Sequence, residues 1–493
     1  MKKMTTADWQ TLRNDLNIDG RAFINGERVA GEQTVTATTP IDNSALAEVT
    51  FCTEAQTNEA VAHARAAFES GIWASQPPAK KKAVLYRFAD LMEENYEELA
   101  LLETLDSGKP IANAHGYDVR HSINCIRWYG EALDKIYGEI PNTGEGALAL
   151  IRREPIGVVG GILPWNFPLL LLCWKIAPAL ALGNSLVIKP SEKTSLVTLR
   201  VAELAHQAGI PAGVFSVVPG WGHEVGGTLS LHNDVDCLVF TGSTATAKRL
   251  LEASGQSNMK PVYAETGGKS ANIVFADCYD LDKAAEGAVH GVFYNQGQVC
   301  IAGTRLLVEE SIYEQFVEKV IEKSSFYQTG NPLDTSCSMG CLIDGEHASA
   351  VTAHIDNAVA EGAELLLDGR NAGTNQVGPT IFKTTPKHKV ACEEVFGPVL
   401  SVMTFKTEEE AIALANDSIY GLGAAAWTAD LNKAHRMAKA LRAGSVFINN
   451  YNHGDLTVPW SGYKQSGNGS DKSLHAFDKF SETKVTWIDL GAG

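Results

Sequence analysis

Cys300 stands in the stretch NQGQVCIAG, residues 295–303, where small and polar residues surround it. Gly297, Gln298 and Gly303 interrupt any helical or strand pattern, which predicts that Cys300 sits on a turn. An accessible thiol that its surroundings activate can serve as a nucleophile. An inert cysteine usually lies inside an apolar run, as a small hydrophobic side chain. These residues alone leave both interpretations of Cys300 open.

The other eight cysteines are predicted to be inert. The total of nine is odd and contains no CxxC pair, which favours reduced thiols and a cytoplasmic location. Cys337 and Cys341 have no His or Cys neighbours, and none of the thirteen histidines belongs to an HExxH motif. We therefore expect no metal site.

Length and charge restrict the class of protein. A chain of 493 residues exceeds one core and predicts two or more domains. The net charge of −17 argues against a nucleic-acid partner. The opening residues, MKKMTTADWQTLRNDLN, are unlike a secretory signal. Prolines, Asn166 and Lys175 interrupt the apolar region 156–188, so no run reaches the ~20 residues of a membrane span.

The pattern along the chain indicates an α/β fold. Apolar spacing predicts amphipathic helices over residues 56–70, 79–105 and 117–137. ALALIRREPIGVVGGIL is predicted to be a strand, and strands then alternate with helices, both before and after Cys300. Such alternation predicts βαβ units and parallel sheets. The ending KFSETKVTWIDL is predicted to be a lone strand that pairs elsewhere, for instance with another subunit.

Four segments together resemble the aldehyde dehydrogenase superfamily: PWNFP (164–168), ETGGKS (265–270), FYNQGQVCIAG (293–303) and EEVFGPV (393–399). The resemblance extends from FINGE at residue 23 to PWSGYKQSGNG at 459. It implies a Rossmann-type NAD-binding domain (1–135 and 157–267) and an α/β catalytic domain (268–465). It also implies a small β oligomerisation arm (136–156 and 478–493) and assembly into homodimers or homotetramers.

The resemblance implies covalent catalysis on an aldehyde. Cys300 matches the nucleophile that forms a thiohemiacetal and then a thioester. Asn166 matches the side-chain donor to the developing oxyanion, with the Cys300 backbone N–H as the second donor. Glu265 matches the general base that activates water, and Lys175 belongs to the same catalytic set. Thr266 departs from the family, which usually has an apolar residue there.

The cofactor implied by the resemblance is NAD, with NADP possible. FTGSTATA (240–247) matches the strand and helix start that receive the pyrophosphate, although Ala247 replaces a common glycine. KPSE (189–192) resembles the adenosine-ribose segment, and the Glu192 carboxylate favours a free 2′-hydroxyl, hence NAD. The full implied set is Pro164, Trp165, Lys189, Ser191, Glu192, Gly222, Phe240, Gly242, Ser243, Gly267, Glu394 and Phe396.

The motifs ILPWNFPLLLLCWK, YNQGQVCIAGTRLL, NNYN-GD-TVP and SGNG-DKSLHAFDKF look like the bacterial aminoaldehyde branch. Its members oxidise ω-aminoaldehydes such as 4-(γ-glutamylamino)butanal in putrescine breakdown. Asp455 and Asp118 are candidate acids at the tunnel mouth, whereas His121 argues against a strong cation site, and Ser470 departs from the branch. The implied tunnel wall comprises Phe167, Leu170, Trp174, Val299, Ile301, Asn452, Asp455 and Trp460.

Other functions stay open at this point. Within the class, the alternative is a betaine-aldehyde or broad aliphatic aldehyde dehydrogenase. Another class is CoA-acylating aldehyde oxidation, against which Glu265 argues because it suits hydrolysis of the thioester. A structural protein on this fold is a further alternative, and it predicts no burst of reduced cofactor with aldehyde.

Overall fold

Two seven-stranded sheets organise the chain in the computed structural model, which describes residues 4–370 and 372–491. Residues 1–3 of the predicted NAD-binding range and residues 492–493 of the predicted terminal segment lie outside the described residues. Across the described ranges, no helix is both long enough and apolar enough to cross a membrane.

The first ten strands and first ten helices precede residue 266. The strands are β1 Ala22–Ile24, β2 Glu27–Val29, β3 Gln33–Thr38, β4 Ala45–Phe51, β5 Ala147–Pro155, β6 Val158–Ile162, β7 Ser185–Lys189, β8 Phe215–Val217, β9 Cys237–Thr241 and β10 Val262–Glu265. The helices are α1 Thr6–Asp15, α2 Glu54–Glu69, α3 Pro78–Glu94, α4 Tyr96–Ser107, α5 Ile111–Asn113, α6 Val119–Ala132, α7 Pro168–Leu182, α8 Leu196–Gln207, α9 Gly227–Leu231 and α10 Thr244–Gln256.

The first sheet has the strand order β10-β9-β6-β7-β8-β1-β2. The five strands from β10 to β8 are parallel, and β1 and β2 extend the sheet antiparallel. Strands β6 to β9 are buried along their whole length, as expected when helices cover both faces of a parallel sheet. The order reverses beside β6, which creates the kind of edge where α/β proteins bind ligands.

The remaining elements follow residue 270. The strands are β11 Ala271–Val274, β12 Arg305–Glu309, β13 Glu364–Leu367, β14 Thr380–Lys383, β15 Val399–Phe405, β16 Tyr420–Gly421, β17 Gly423–Trp427, β18 Ser445–Ile448, β19 Trp460–Ser461, β20 Tyr463–Lys464, β21 Ser470–Asp471 and β22 Ser481–Asp489. The helices are α11 Leu281–Phe293, α12 Tyr313–Ser324, α13 Gly345–Ala360, α14 Lys389–Cys392, α15 Glu408–Asn416 and α16 Leu431–Ala440.

The second sheet has the order β13-β14-β15-β12-β11-β17-β18 and is parallel from β14 to β18. Only its edge strand β13 pairs antiparallel, with β14. The alternation predicted on both sides of Cys300 is thereby confirmed as two parallel sheets. The short segment 266–270 joins β10 of one sheet to β11 of the other.

Several predicted elements are divided in the structure. The helix predicted over residues 79–105 is interrupted at Asn95, whose backbone leaves the helical region and whose side chain donates to the Leu91 carbonyl. The strand predicted over residues 147–163 becomes β5 and β6, which belong to different sheets. Gly157 lies at the division with φ +128, and a Cβ there would lie 1.9 Å from Asp236 Oδ2. The helix predicted over residues 117–137 ends at Ala132.

The terminal strand has its partner within the same chain. Strand β22 pairs antiparallel with β5, from Ser481 opposite Pro155 to Asp489 opposite Ala147. The sequence could not indicate this pairing, because more than 300 residues of chain separate the two strands. The two segments expected to form an oligomerisation arm thus make one two-stranded sheet.

Candidate active site

Loops from both sheets meet at Cys300. The loop that follows β6 carries Asn166, strand β10 ends at Glu265, and Cys300 lies in the loop between α11 and β12. Helix α7 fixes the first loop: it begins with Pro168, is buried along almost its whole length, and is capped after Leu182 by Gly183, with φ +102. The site therefore lies beyond the carboxyl ends of the first sheet's parallel strands.

The loop before Cys300 has a strained backbone. Asn295, Gln296 and Gly297 have positive φ angles of 48°, 55° and 72°, which costs about 1–3 kcal/mol for each non-glycine residue. Such strain persists only where neighbouring groups hold the backbone in place. Gln298 Oε1 accepts from the Ile343 N–H at 3.0 Å, and Tyr451 donates its hydroxyl to the Ile301 carbonyl at 2.6 Å. Cys300 is thereby held on a fixed turn, as predicted.

The glycine pair after Glu265 lets three chain segments approach closely. A Cβ on Gly267 would lie 2.2 Å from Glu394 Oε2, and a Cβ on Gly268 would lie 2.3 Å from the Cys300 carbonyl oxygen. The Gly268 N–H instead donates to Glu394 Oε1 at 2.9 Å. Glycine at both positions therefore brings the predicted base, nucleophile and cofactor ligand together.

Glu265 and Cys300 each change the pKa of the other. Burial raises the pKa of Glu265 to about 7, and Lys175 and the Cys300 thiol oppose that rise. Burial and the adjacent Glu265 carboxyl raise the pKa of Cys300 well above its ordinary value. The sequence predicted surroundings that activate the thiol, whereas burial and the Glu265 carboxyl favour its neutral form. Glu265 is therefore placed to accept the thiol proton.

Lys175 supports the site from behind. Its ammonium is buried and pairs with Asp471, which also pairs with Lys479. The charge of Lys175 lowers the pKa of Glu265 without a hydrogen bond between them. The geometry gives Lys175 an electrostatic and positioning role rather than contact with the reacting atoms.

Asn166 presents an amide beside the cysteine loop. The Asn166 Nδ2 donates to the Gln298 backbone carbonyl at 2.9 Å. The backbone carbonyl of Asn166 accepts from Asn295 Nδ2 at 3.1 Å. An amide nitrogen carries two N–H groups, so one remains to meet an oxyanion. The Asn166 amide is almost fully buried, where such a donor acts strongly.

The predicted adenosine side of the cofactor site lies at the ends of β7 and β9. Lys189 is buried, donates to the Pro190 carbonyl at 2.8 Å, and lies 3.5 Å from Glu192 Oε2. Burial lowers the pKa of Lys189. Exposed Ser243 caps α10 by accepting from the Thr246 N–H at 3.3 Å.

Two glycines, Gly222 and Gly242, lie on the predicted adenosine side of the cofactor site. No atom lies within 4 Å of a Cβ on Gly222, and Gly242, beside the buried Phe240 ring, donates its N–H to the Glu265 carbonyl. Ser191, nearly buried, caps the Lys193 N–H through its hydroxyl. An open helix N-terminus beside a buried lysine and a carboxylate fits a dinucleotide's pyrophosphate and ribose.

The predicted nicotinamide side of the cofactor site contains His347, which the sequence analysis did not identify. Phe396 has φ +54, and its carbonyl accepts from His347 Nε2 at 2.8 Å. The ring of Trp165 lies 5.3 Å from that of Phe396 and 5.4 Å from that of His347. Pro164, just before Trp165, is partly exposed on the same loop. No sequence motif identifies His347, because it lies within helix α13 and meets Phe396 and Trp165 only through packing.

Glu394 belongs to the predicted nicotinamide side of the site. Burial raises the pKa of Glu394 to about 7. Lys193 pairs with Asp344, which caps helix α13, so this ion pair joins elements that surround the two sheets. The sequence could not predict the ion pair of Lys193 and Asp344, since the two residues lie 151 positions apart.

A cavity of about 490 Å³ leads to Cys300. Seven of the eight predicted wall residues line it: Phe167, Leu170, Trp174, Val299, Ile301, Asn452 and Trp460. Trp460 also donates its indole N–H to Glu265 Oε1 at 3.4 Å. The sequence missed Tyr117, Tyr294, Phe447, Tyr451 and Lys472, which also line the cavity.

The two predicted acids at the mouth have other positions. Asp455 lies outside the cavity wall, exposed, with its carboxylate accepting from the Thr457 N–H at 2.7 Å. The prediction for Asp118 is wrong: its side chain is fully buried and pairs with Lys109, which also pairs with Glu103. The sequence places Asp118 beside polar residues, but packing turns it inward. His121 stacks on Tyr117, with ring centroids 3.9 Å apart.

The departures from the family pattern have local explanations. The Thr266 hydroxyl donates to the Gln465 carbonyl at 2.6 Å and so anchors the chain beside Glu265. Ser470 shares a hydrogen bond of 2.6 Å with Ser461 across the β19–β21 pair. Ala247 is buried on α10.

Comparison with known proteins agrees with this geometry. The model of the aldehyde dehydrogenase family matches residues 28–486. The NADP/NAD-dependent aldehyde dehydrogenase PuuC of Escherichia coli is 55% identical over 490 residues, 99% of each chain. The structure of aldehyde dehydrogenase KauB from Pseudomonas aeruginosa superposes with a TM-score of 0.98 at 53% identity, covering 99% of this chain and 100% of that one.

A second solved structure is also similar. The γ-glutamyl-γ-aminobutyraldehyde dehydrogenase of Burkholderia cenocepacia superposes with a TM-score of 0.97 at 49% identity, over 99% of this chain and 100% of that chain. The match spans both sheets and every catalytic loop described above. This chain belongs to the aldehyde dehydrogenase family.

Proposed function

We propose that this protein oxidises an aldehyde to a carboxylate with NAD, or NADP, as hydride acceptor, and that its substrate is an ω-aminoaldehyde such as 4-(γ-glutamylamino)butanal. The observation that carries the proposal is that Cys300 lines a cavity of about 490 Å³ together with Trp460, whose indole donates to the carboxyl of buried Glu265. That volume lies within the ~300–1,000 Å³ typical of small-molecule sites. The names of the Escherichia coli and Burkholderia relatives support the cofactor and the substrate.

Acylation begins with a proton transfer. Glu265 accepts the proton of the Cys300 thiol, and the thiolate sulfur attacks the aldehyde carbon. Negative charge moves to the carbonyl oxygen, where the free N–H of Asn166 and the Cys300 backbone N–H stabilise it. The product of this step is a thiohemiacetal on Cys300.

NAD, when bound, supplies the acceptor for the hydride that leaves the thiohemiacetal carbon. We assign the ribose of its adenosine to Lys189 and Glu192, and its pyrophosphate to Gly242 and Ser243 at the start of α10. Glu394 is the ligand assigned to the nicotinamide ribose.

Deacylation uses the same base. Glu265, having released its first proton to solvent, accepts a proton from water while the oxygen of that water attacks the thioester carbon. The carbon–sulfur bond then breaks, which frees the carboxylic acid and restores Cys300. A base of pKa about 7 is matched to this task near neutral pH.

We further propose a homo-oligomer in the cytoplasm, with residues 1–135 and 157–267 as NAD domain and 268–465 as catalytic domain. Exposed Trp487 and Val485 on β22 support an interface there, since large apolar side chains at a strand surface favour association. All nine cysteines are free thiols, which supports a reducing compartment. Light scattering of the wild type and of Trp487→Asp tests the assembly: a monomeric wild type contradicts it.

A steady-state panel tests the catalytic proposal. Purified protein should reduce NAD with aldehydes, most efficiently with 4-(γ-glutamylamino)butanal, and CoA should not alter the free-acid product. Cys300→Ser should abolish turnover while NAD still binds. Cys278→Ser, a thiol at the start of α11 away from the cavity, is the matched control and should retain activity. Turnover by Cys300→Ser at the wild-type rate contradicts the proposal.

A further inference from the structure

Lys472 is a lysine in the cavity wall that the mechanism does not use. Its side chain is only 7% exposed, and its Nζ lies 5.5 Å from the ring centroids of both Trp174 and Trp460. Within the described chain, no carboxylate lies within ion-pair distance of this ammonium. Its position between two aromatic walls leaves the charged end facing the cavity that leads to Cys300.

The backbone around Lys472 directs the side chain inward. Lys472 and Ser473 have positive φ angles of 62° and 49°. The Ser473 N–H donates to the Leu456 carbonyl at 2.8 Å, and the Ser473 carbonyl accepts from the Tyr129 hydroxyl at 3.0 Å. Two consecutive strained residues held in this way indicate that surrounding contacts determine the lysine's orientation.

Lys472 supplies the formal charge of the cavity wall. Among the described wall residues, Lys472 is the only Lys, Arg, Asp or Glu. Asp455 lies outside the wall and is engaged by Thr457, and Asp471 is shared by Lys175 and Lys479. Two histidines also line the wall, His290 and His453; His290 is bonded to the Tyr327 hydroxyl, and burial, with His453 nearby, lowers its pKa. No wall carboxylate therefore balances the ammonium.

This arrangement reverses the preference that aromatic walls alone suggest. Trp174 and Trp460 could stabilise a cationic substrate through their ring faces, but the protein's own ammonium already lies against both. Burial lowers the pKa of Lys472, and the carboxylates of Asp455 and Asp471 oppose that fall without forming an ion pair with it, so an anion bound in the cavity stabilises the ammonium form. The Trp460 indole, whose ring lies 5.5 Å from the Lys472 Nζ, also donates to Glu265 Oε1, so Lys472 lies on the wall that leads to the catalytic base.

We infer that Lys472 is a specificity-determining residue that binds a carboxylate on the tail of the aldehyde. This inference rests on the proposed function and deepens it. The protein should thus prefer aldehydes whose tail ends in a carboxylate, including the carboxylate of a γ-glutamyl group, over those that end in a free ammonium. Attachment of a γ-glutamyl group turns the ammonium of an ω-aminoaldehyde into a neutral amide and adds an α-carboxylate together with an α-ammonium, so the product presents the carboxylate that Lys472 binds.

Three aldehydes of similar length test the inference: 5-oxopentanoate, pentanal and 4-(trimethylammonio)butanal. Wild-type kcat/KM should be highest for the anion and lowest for the cation. Lys472→Met, which keeps length and apolar contact, should lower the ratio of kcat/KM for 5-oxopentanoate to that for pentanal about 10- to 100-fold, the loss of one charge-assisted hydrogen bond. Lys472→Arg should retain most of the anion preference.

The controls separate this inference from the proposed function. Lys406→Met removes an exposed lysine far from the cavity and should leave all three ratios unchanged. Binding of glutarate, followed by calorimetry, reports on the tail site without turnover and should weaken in Lys472→Met. An unchanged ratio in Lys472→Met, or wild-type preference for the cationic aldehyde, overturns the inference. Absence of NAD reduction with every aldehyde instead overturns the proposed function, while glutarate binding still tests Lys472.

Discussion

Replacing Glu265 by glutamine should separate the two halves of catalysis. The glutamine amide keeps the size of the side chain and can still contact the Trp460 indole, which lies 3.4 Å from Glu265 Oε1. It cannot accept a proton. Hydrolysis of the thioester, which needs a proton taken from water, should therefore slow by about 10²–10⁴, the usual contribution of a general base.

The structure also sets the pH dependence of the unmodified enzyme. Burial raises the pKa of Glu265 to about 7, and the carboxylate is the form that accepts protons. The ionised fraction rises from about 0.1 at pH 6 to about 0.9 at pH 8, so turnover should increase roughly tenfold with rising pH. Glu265→Gln should lose this increase, because its side chain does not titrate.

Rapid mixing with NAD and aldehyde is the assay. The variant should produce a burst of NADH that approaches the number of active sites, followed by a slow steady rate. Acid quenching should trap the thioester as added mass on the Cys300 peptide. Since Glu265 also faces the Cys300 thiol, the burst itself should be slower than in the wild type.

Glu314→Gln, an exposed position on α12, serves as the control and should behave as the wild type. A Glu265→Gln variant that binds NAD but gives neither burst nor adduct contradicts the expectation that acylation survives this substitution at a reduced rate. Unchanged steady turnover removes Glu265 from the mechanism altogether.

Three further substitutions probe neighbouring groups. Asn166→Ala should lower kcat by about 10²–10³, the loss of one oxyanion donor, and a change in KM alone would mean that Asn166 only positions substrate. Glu192→Gln should raise kcat/KM with NADP relative to NAD, because its carboxylate repels a 2′-phosphate; an unmoved ratio places Glu192 away from the ribose. Gly267→Ala should displace the Glu394 carboxylate, which lies 2.2 Å from the new Cβ, and weaken NAD binding about tenfold in a fluorescence titration; unaltered affinity excludes Glu394 as a ligand.

Much of the fold could be predicted because its signals are local. Alternating strands and helices are encoded in runs of five to fifteen residues, and the structure arranges them as two parallel sheets. Element boundaries were less certain: Asn95 divides one predicted helix, and Gly157 separates two strands that the sequence joins. The pairing of β22 with β5 could not be predicted, since backbone hydrogen bonds between strands carry no sequence code for a partner hundreds of residues away.

The sequence by itself predicted the reacting groups, through its resemblance to the family. Cys300 on its turn, Glu265 before two glycines and Asn166 after β6 are recognisable from their neighbours in the chain. Only the tertiary structure decided their surroundings: burial and the Glu265 carboxyl raise the pKa of Cys300, and packing turns Asp118 inward against Lys109. It also placed Lys472 alone against two tryptophans in the cavity. Burial and the electrostatic interactions between residues distant in sequence depend on how the whole chain folds. No local sequence pattern specifies that arrangement.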